Sequence, residues 1–338
     1  MVQAFMPEPY KIQYRDVPIP EVGKGQLKLK MKKIGVCGSD IHVWHGRHPY
    51  TSYPVVQGHE VSAEVVELGE DVIGFQVGDI VTVQPQVVCG KCYPCTHGMY
   101  NDCNELKVMG FQTTGMASEY FVVDAQKCLV LPKNMSLDDA AMIEPLAVAV
   151  HAVRRIGDPA GKKAAVIGGG PIGNLVAQVL RALGAEVLMS EVSAARLAIA
   201  AKCGIPTVNP MEQPLPDAIR EHFGPDGADV ILECIGNAKT VAEAIEIARK
   251  GSDIVIVGVV SDLCSVNMGF VQDHELRILG TAMYRVEDYR EAIALVSEGK
   301  IELPALVTNH VPFTEYETAY HLTETEKDKV MKIIIDME

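Results

Sequence analysis

No run of apolar residues in this chain approaches the roughly 18 that a membrane-spanning helix needs. Its opening stretch, MVQAFMPEPYKIQYRDVPIPEVGKG, mixes charges and prolines and has no apolar core of a secretory leader. The expectation is a cytoplasmic protein that does not engage a membrane. Basic runs are also missing, and the formal net charge is −14. A nucleic-acid reader neutralises phosphates with a stripe of Lys and Arg, so that class is excluded. There is no internal repeat and no low-complexity segment, which leaves an ordinary globular chain. Hydrophobic residues at 48% against 22% charged suit a soluble enzyme with a substantial core.

At 338 residues the chain is long enough for about two domains of roughly 100–200 residues each. The first stretch, 1–149, is rich in Gly, Pro and β-branched residues. Short runs such as QLKLKMKKIGV, VSAEVVELG and DIVTVQP are separated by turn signals, which predicts a β-rich, barrel-like domain. The second, 150–283, alternates strand and helix through KAAVIGGGPIGNLVAQVLRALGAEVLMSEV, ADVILECIG, TVAEAIEIARKGS, DIVIVGVV and RILGTAM. That alternation predicts a doubly wound parallel sheet, so the fold class is α/β. The third, 284–338, returns to mixed helix and strand and is expected to fold back onto the first domain.

The turn GGGPIG spaces Gly168, Gly170 and Gly173 as G-x-G-x-x-G, with Pro171 and Ile172 between the last two. Alone the pattern is weak. Here it follows the apolar strand AAVI and opens the helix LVAQVLRAL, the context of a dinucleotide-binding turn. Helix N–H groups and the positive end of the helix dipole then face a pyrophosphate. The next strand ends at Glu191, eighteen residues beyond Gly173. A carboxylate there accepts the hydroxyls of an adenosine ribose and repels a 2′-phosphate, so NAD is favoured over NADP. A solvated strand end is the plainer reading of Glu191. Arg196, close behind, either flanks the adenine or lies exposed on a helix.

Nine cysteines are present, and four of them fall in CGKCYPCTHGMYNDC, residues 89–103. A reducing cytosol disfavours disulfides. A redox pair would open a helix in a thioredoxin-like βαβ unit, whereas this motif sits in a Pro- and Gly-containing loop. Cys89, Cys92, Cys95 and Cys103 at short fixed spacing suit a closed tetrahedral zinc site. Elsewhere Cys37, His59 and Glu60 are soft, borderline and hard ligands of the kind zinc accepts. Spacing alone does not gather them, and a small buried thiol and a satisfied His–Glu pair remain open alternatives.

Five signatures in order, GVCGSDIH, GHE at 58–60, the four-cysteine lobe, IEPLAVAVHAV and the strand–GGGPIG–helix unit, carry a resemblance. From about Gln26 onward the chain resembles the zinc-dependent medium-chain dehydrogenase/reductase superfamily, in its polyol and sugar-acid branch typified by sorbitol, L-galactonate and L-idonate dehydrogenases. The resemblance implies a GroES-like catalytic domain with a structural zinc lobe, a Rossmann NAD-binding domain, and two zinc ions per chain. It implies that Cys37, His59, Glu60 and Glu144 serve the catalytic zinc, and that Cys89, Cys92, Cys95 and Cys103 hold the structural one. It also implies hydride transfer between NAD and a secondary alcohol, and a proton relay from Ser39 to His42. Ser39 equally fits a helix N-cap, because GSD precedes IHVWHG. A homodimer or homotetramer is implied as well.

Departures cluster where the substrate is expected. Ala63 replaces a common glycine, Gln112 and Met116 stand in FQTTGMASEY, and AMYRVEDY carries Met283 and Arg285 around Tyr284. In HVWHGRHPY, residues His42, His45, Arg47 and His48 form a local cationic cluster near the expected zinc site, which favours an anionic sugar acid over a neutral polyol. An L-threonine 3-dehydrogenase-like enzyme shares all five signatures and is the nearest alternative. A non-catalytic nucleotide-binding protein is the alternative from another class.

Overall fold

The computed structural model describes residues 1–261 and 263–337 and resolves into two compact units. One joins Met1–Pro145 to Val307–Glu338, and the other is Leu146–Leu306.

The first unit is built on a seven-stranded sheet. In spatial order its strands are Val307–Pro312, Lys332–Asp336, Gln26–Gly35, Glu60–Leu68, Ile80–Val83 and Cys128–Val130, with Tyr120–Asp124 also pairing to Gln26–Gly35. The central strand shows why. In QLKLKMKKIG, Leu27, Leu29 and Met31 face the core while Lys28, Lys30 and Lys32 alternate with them on the other face, the period-2 pattern of a half-buried strand. Lys28 pairs with Glu67, and Lys32 with Glu64 at 3.0 Å, both across the neighbouring strand. The last strand, KIIID, lies antiparallel to Gln26–Gly35 with Ile334 opposite Gly35. The end of the chain thus completes the sheet begun near its start.

The four-cysteine segment hangs from a two-stranded ribbon, Gln86–Val87 paired with Lys107–Val108. This ribbon brings the two ends of the segment together without using the main sheet.

The second unit holds six parallel strands in the order Thr207–Val208, Glu186–Ser190, Lys163–Ile167, Val230–Glu233, Asp253–Ile256 and Arg277–Gly280. From Lys163–Ile167 the chain first builds outward on one side, then returns to build on the other. Its order therefore reverses at the carboxyl end of that strand, where ligands of such sheets bind. Ala165, Ile167, Leu188, Ile231 and Ile254 fill one core of this unit. The apolar strand Asp253–Ile256 is paired on both sides, and Arg277–Gly280 is the edge.

The return segment begins at Val307, later than the expected 284. Residues 284–306 belong to the nucleotide unit because their apolar and polar side chains are satisfied there. Helix Val286–Ser297 buries Tyr289, Ala292 and Leu295. Its Asp288 lies 2.8 Å from His151 Nδ1 and 3.1 Å from Arg154 Nε. Glu302 exchanges two backbone hydrogen bonds with the Gln178 amide. The other boundary falls after Pro145 rather than 149, inside helix Leu137–Arg154. No helix among the described residues is long and apolar enough to cross a membrane.

Candidate zinc and nucleotide sites

Three strand ends of one sheet meet at the first site. Cys37 follows Gln26–Gly35, His59 immediately precedes Glu60–Leu68 and Glu60 begins it, and Lys332 begins Lys332–Asp336. Cys37 is also the N-cap of the short helix Gly38–Trp44, and its N–H donates to Asp40 Oδ2 at 2.9 Å. Cys37 therefore takes the capping position that Ser39 also fitted, and Ser39 lies half-buried inside the first turn. Asp40 is 1% exposed, and its Oδ1 accepts from Gln57 Nε2 at 3.1 Å and lies 3.5 Å from His59 Nδ1. Gln57 in turn accepts from the Tyr320 hydroxyl at 2.5 Å.

Cys37, His59 and Glu60 each present a ligand atom within 4.8 Å of the others. His59 is buried, and its Nδ1 lacks a hydrogen-bond partner, an arrangement that is costly without a further occupant. Burial disfavours a charged ring, yet the Asp40 carboxylate and the Cys37 thiol overcome that and hold the His59 pKa well above its ordinary value. An electron-rich pocket of this kind attracts a cation. A thiol, an imidazole and a carboxylate together fit zinc. Glu144 is buried nearby but outside the three-residue group.

The four cysteines of the ribbon-held loop are free thiols with sulfur atoms all within 4.8 Å. Cys92 Sγ and Cys103 Sγ stand 3.8 Å apart. A tetrahedron with Zn–S bonds of ~2.3 Å has edges of about 3.8 Å, so the spacing fits a four-thiolate zinc. Backbone N–H groups of Cys89 and Glu105 donate to Cys103 Sγ at 3.3 and 3.4 Å. N–H groups of Cys95 and Asn104 pull the Cys92 thiol down to about 6, which favours the thiolate that metals require. A further group of close potential ligands is Asp138, His310 and Asp336, beside the Lys33 ammonium. Lys33 Nζ lies 2.6 Å from Asp336 and 3.7 Å from Asp138.

At the nucleotide turn Gly168 has φ +99°, a conformation that side chains resist. A Cβ on Gly173 would stand 1.9 Å from the Gly168 carbonyl oxygen, so only glycine lets helix Pro171–Ala182 pack on the turn. Gly170 caps that helix and Pro171 is its first residue. Pro171 and Ile172 are both partly accessible at the helix start, where Pro lacks only an N–H that has no helical partner. Glu191 is buried at the end of Glu186–Ser190. Its Oε2 accepts from Gly169 N–H at 2.8 Å, and its Oε1 from Val192 and Ser193 at 2.7 and 2.8 Å. It is thus a fixed part of the turn rather than a solvated strand end. Arg196 lies 3.8 Å from it.

The cationic cluster of HVWHGRHPY is dispersed. His45 Nε2 sits 2.8 Å from Glu324. His48 stacks on Phe111 and bonds Thr51, and burial lowers its pKa below the usual histidine value. His42 and Arg47 are exposed. Phe111 packs its ring 5.0 Å from that of His59 and also lines a cavity of about 570 Å³ with Arg15, Tyr50, Ser52, Gln112 and Thr113. Gln112 therefore faces this cavity, whereas Met116 is wholly buried.

Three side chains escaped the sequence reading. Asp40 had a faint signal, standing three residues after the capping position. Gln57 and Lys332 had none, because VMKIIID reads simply as a strand.

Family models match two parts of the chain, an alcohol dehydrogenase GroES-like domain at residues 23–133 and a zinc-binding dehydrogenase domain at 171–298. Among curated relatives, a 2-dehydro-3-deoxy-L-galactonate 5-dehydrogenase of Pseudoalteromonas atlantica is 37% identical over 88% of this chain and 87% of its own. A sorbitol dehydrogenase of Halalkalibacterium halodurans is 36% identical over 95% of both. Among solved structures, an alcohol dehydrogenase from Escherichia coli CFT073 complexed with NADH superposes with a TM-score of 0.92. It is 30% identical, over 100% of this chain and 99% of that one.

Proposed function

We propose, for a chain that belongs to the zinc-type medium-chain dehydrogenases, an NAD-dependent oxidation of a secondary alcohol of a polyol or sugar acid to the ketone. The observation that carries this reading is the group formed by half-buried Cys37 and buried His59 and Glu60, with ligand atoms within 4.8 Å of one another. These residues, with Glu144 beside them, would hold the catalytic zinc, and Cys89, Cys92, Cys95 and Cys103 the structural one. When bound, zinc supplies a Lewis acid that lowers the pKa of a coordinated hydroxyl. Asp40 fixes the Cys37 backbone and flanks His59, so the donor set is organised before the ion arrives.

The Gly168–Gly173 turn receives the pyrophosphate of NAD, and Glu191 sets the preference against a 2′-phosphate. Ser39 and His42, three residues apart on one helical turn, are assigned the outward transfer of the substrate proton. His42 is exposed, so a proton that reaches its ring has open access to water. The polar lining supplied by Arg15, Ser52, Gln112 and Thr113 supports a substrate with several hydroxyls. Because His45 is engaged by Glu324 and His48 is disfavoured as a cation, neutral polyols and anionic sugar acids are both accommodated.

A panel of hexitols, hexonates and L-threonine, followed by NADH absorbance, tests this reading. Turnover of hexitols or hexonates is expected. Turnover of threonine alone, or NAD binding with no turnover of any secondary alcohol, overturns it. The nine free thiols support a reducing, cytoplasmic setting. Edge strand Arg277–Gly280 has no partner on its outer side among the described residues, which supports a homodimer or homotetramer joined there. Light scattering checks that assembly.

A further inference from the structure

Among the described residues, the cavity of about 570 Å³ next to Phe111 has a single charged side chain in its lining, Arg15. The cavity has the size of a small-molecule pocket. Phe111 joins it to the proposed zinc site, because the same ring forms its wall and packs 5.0 Å from that of His59. Tyr50, Ser52, Gln112 and Thr113 add neutral polar groups. Arg15 stands opposite Gln3 in the hairpin of Val2–Glu8 and Lys11–Asp16. Gln3 is buried, and its Oε1 accepts from Arg15 Nε at 2.9 Å and from Nη2 at 2.7 Å. The guanidinium carbon lies 4.6 Å from the centroid of the Phe5 ring, part of the same cavity wall. The head group is thus oriented by two neighbours. Among the described residues its Nη1 has no partner, and no carboxylate pairs with it.

We propose that Arg15 is a specificity-determining residue that binds a terminal oxyanion of the substrate, carboxylate or phosphate, while a hydroxyl farther along that molecule reaches the Cys37, His59 and Glu60 group. This rests on the catalytic reading above and deepens it. An oriented guanidinium offers a planar fork that matches an oxyanion. On a chain of net charge −14 the general field repels anions, so a fixed local cation is what draws one in. His45 and His48 do not supply that charge, and Arg15 does. Anionic substrates are therefore preferred over neutral polyols of the same length. The contact is remote from the reacting carbon and equally strong in ground and transition states, so it acts on KM.

The test assays wild type, Arg15→Gln, Arg15→Lys and Arg15→Glu on hexonates, on hexitols of matching configuration and on the terminal phosphates of those hexitols. NADH absorbance is followed at two ionic strengths. Anion and neutral polyol are measured on one preparation, so the ratio of their kcat/KM values does not depend on the fraction folded. In Arg15→Gln that ratio is expected to fall at least about tenfold, the scale of a hydrogen bond to a charged group, with the loss in KM. Arg15→Glu is expected to fall further, and Arg15→Lys to keep part of the preference. Added salt is expected to lower the ratio in wild type and to leave it flat in Arg15→Gln. A fall for hexonates identifies the oxyanion as a carboxylate, and a fall confined to the phosphates identifies it as a phosphate. A ratio unchanged for both anions, even with a lower melting temperature, makes Arg15 only a staple of the hairpin and overturns its role. Wild type that turns over none of these alcohols overturns the underlying reading instead.

Discussion

Glu191 is bound through both oxygens to backbone N–H groups of its own turn and of Gly169, so its charge is fixed beside the glycine turn, where the proposed reading puts the adenosine ribose of NAD. Replacing it with Ala removes the repulsion of a 2′-phosphate. The ratio of kcat/KM for NAD to that for NADP is expected to fall by at least about tenfold, equivalent to roughly 1.4 kcal/mol. Parallel assays with the two cofactors measure it, and an unchanged ratio would remove Glu191 from cofactor selection. A different separation of roles holds for Cys95. Its thiol belongs to the closed four-sulfur group, remote in sequence from Cys37 and supported by its own ribbon. Cys95→Ser is expected to lower bound zinc from two ions per chain to one and to lower the melting temperature, while the folded fraction still turns over. Metal analysis alongside a specific-activity measurement checks this. Turnover abolished in a stable, folded variant would put the four-cysteine zinc in the chemistry.

At the scale of elements, the strand Gln26–Gly35 performs two tasks. Its alternating Leu27, Leu29 and Met31 are fully buried and anchor the main sheet, and its last residue, Gly35, lies opposite Glu60 in register. Leu29→Ala leaves a core cavity and is expected to cost about 2–5 kcal/mol in chemical denaturation without altering zinc content. Gly35→Ala has the opposite signature. Its Cβ collides with the Glu60 carboxylate, so one zinc per chain is expected to be lost with only a modest change in stability. Metal content measured on both variants separates them, and equal zinc in Gly35→Ala would show that Glu60 can relocate. The strand pattern itself was legible from QLKLKMKKIG, because side chains that alternate in a sequence alternate across a sheet. The register was not, because hydrogen bonding between strands depends on partners far along the chain.

On the scale of the whole molecule, the two units have separate hydrophobic cores. Every group of three or more metal-ligating side chains among the described residues lies in the first unit. Removing zinc by chelation is therefore expected to abolish turnover and lower the melting temperature of that unit while leaving NAD binding near its original affinity. Titration calorimetry with NAD before and after chelation decides it, and loss of NAD binding would show that the nucleotide unit depends on the metal. The division also explains the boundary at Val307. Helix Val286–Ser297 carries a buried aromatic and aliphatic face and the buried Asp288, which are partnered by residues of the nucleotide unit such as His151.

By itself the sequence determined whatever depends on neighbours within a few residues. That covers the glycine turn between a strand and a helix, the carboxylate at the end of the next strand, and the four cysteines at fixed short spacing. It extends to the alternation of strands and helices that makes one half a parallel sheet. Only the tertiary structure decided the rest, because those features depend on residues that the chain brings together from afar. Cys37, His59 and Glu60 meet because two antiparallel strands place their ends side by side. Lys332 reaches them only because the final strand lies antiparallel to Gln26–Gly35, bringing it to Glu60 from 272 positions away in the chain. The same distance effect removed the cationic cluster, since Glu324 could claim His45 only once the last helix had packed. Local spacing encodes turns and clips, whereas a charge balance among buried groups exists only after the sheet is assembled.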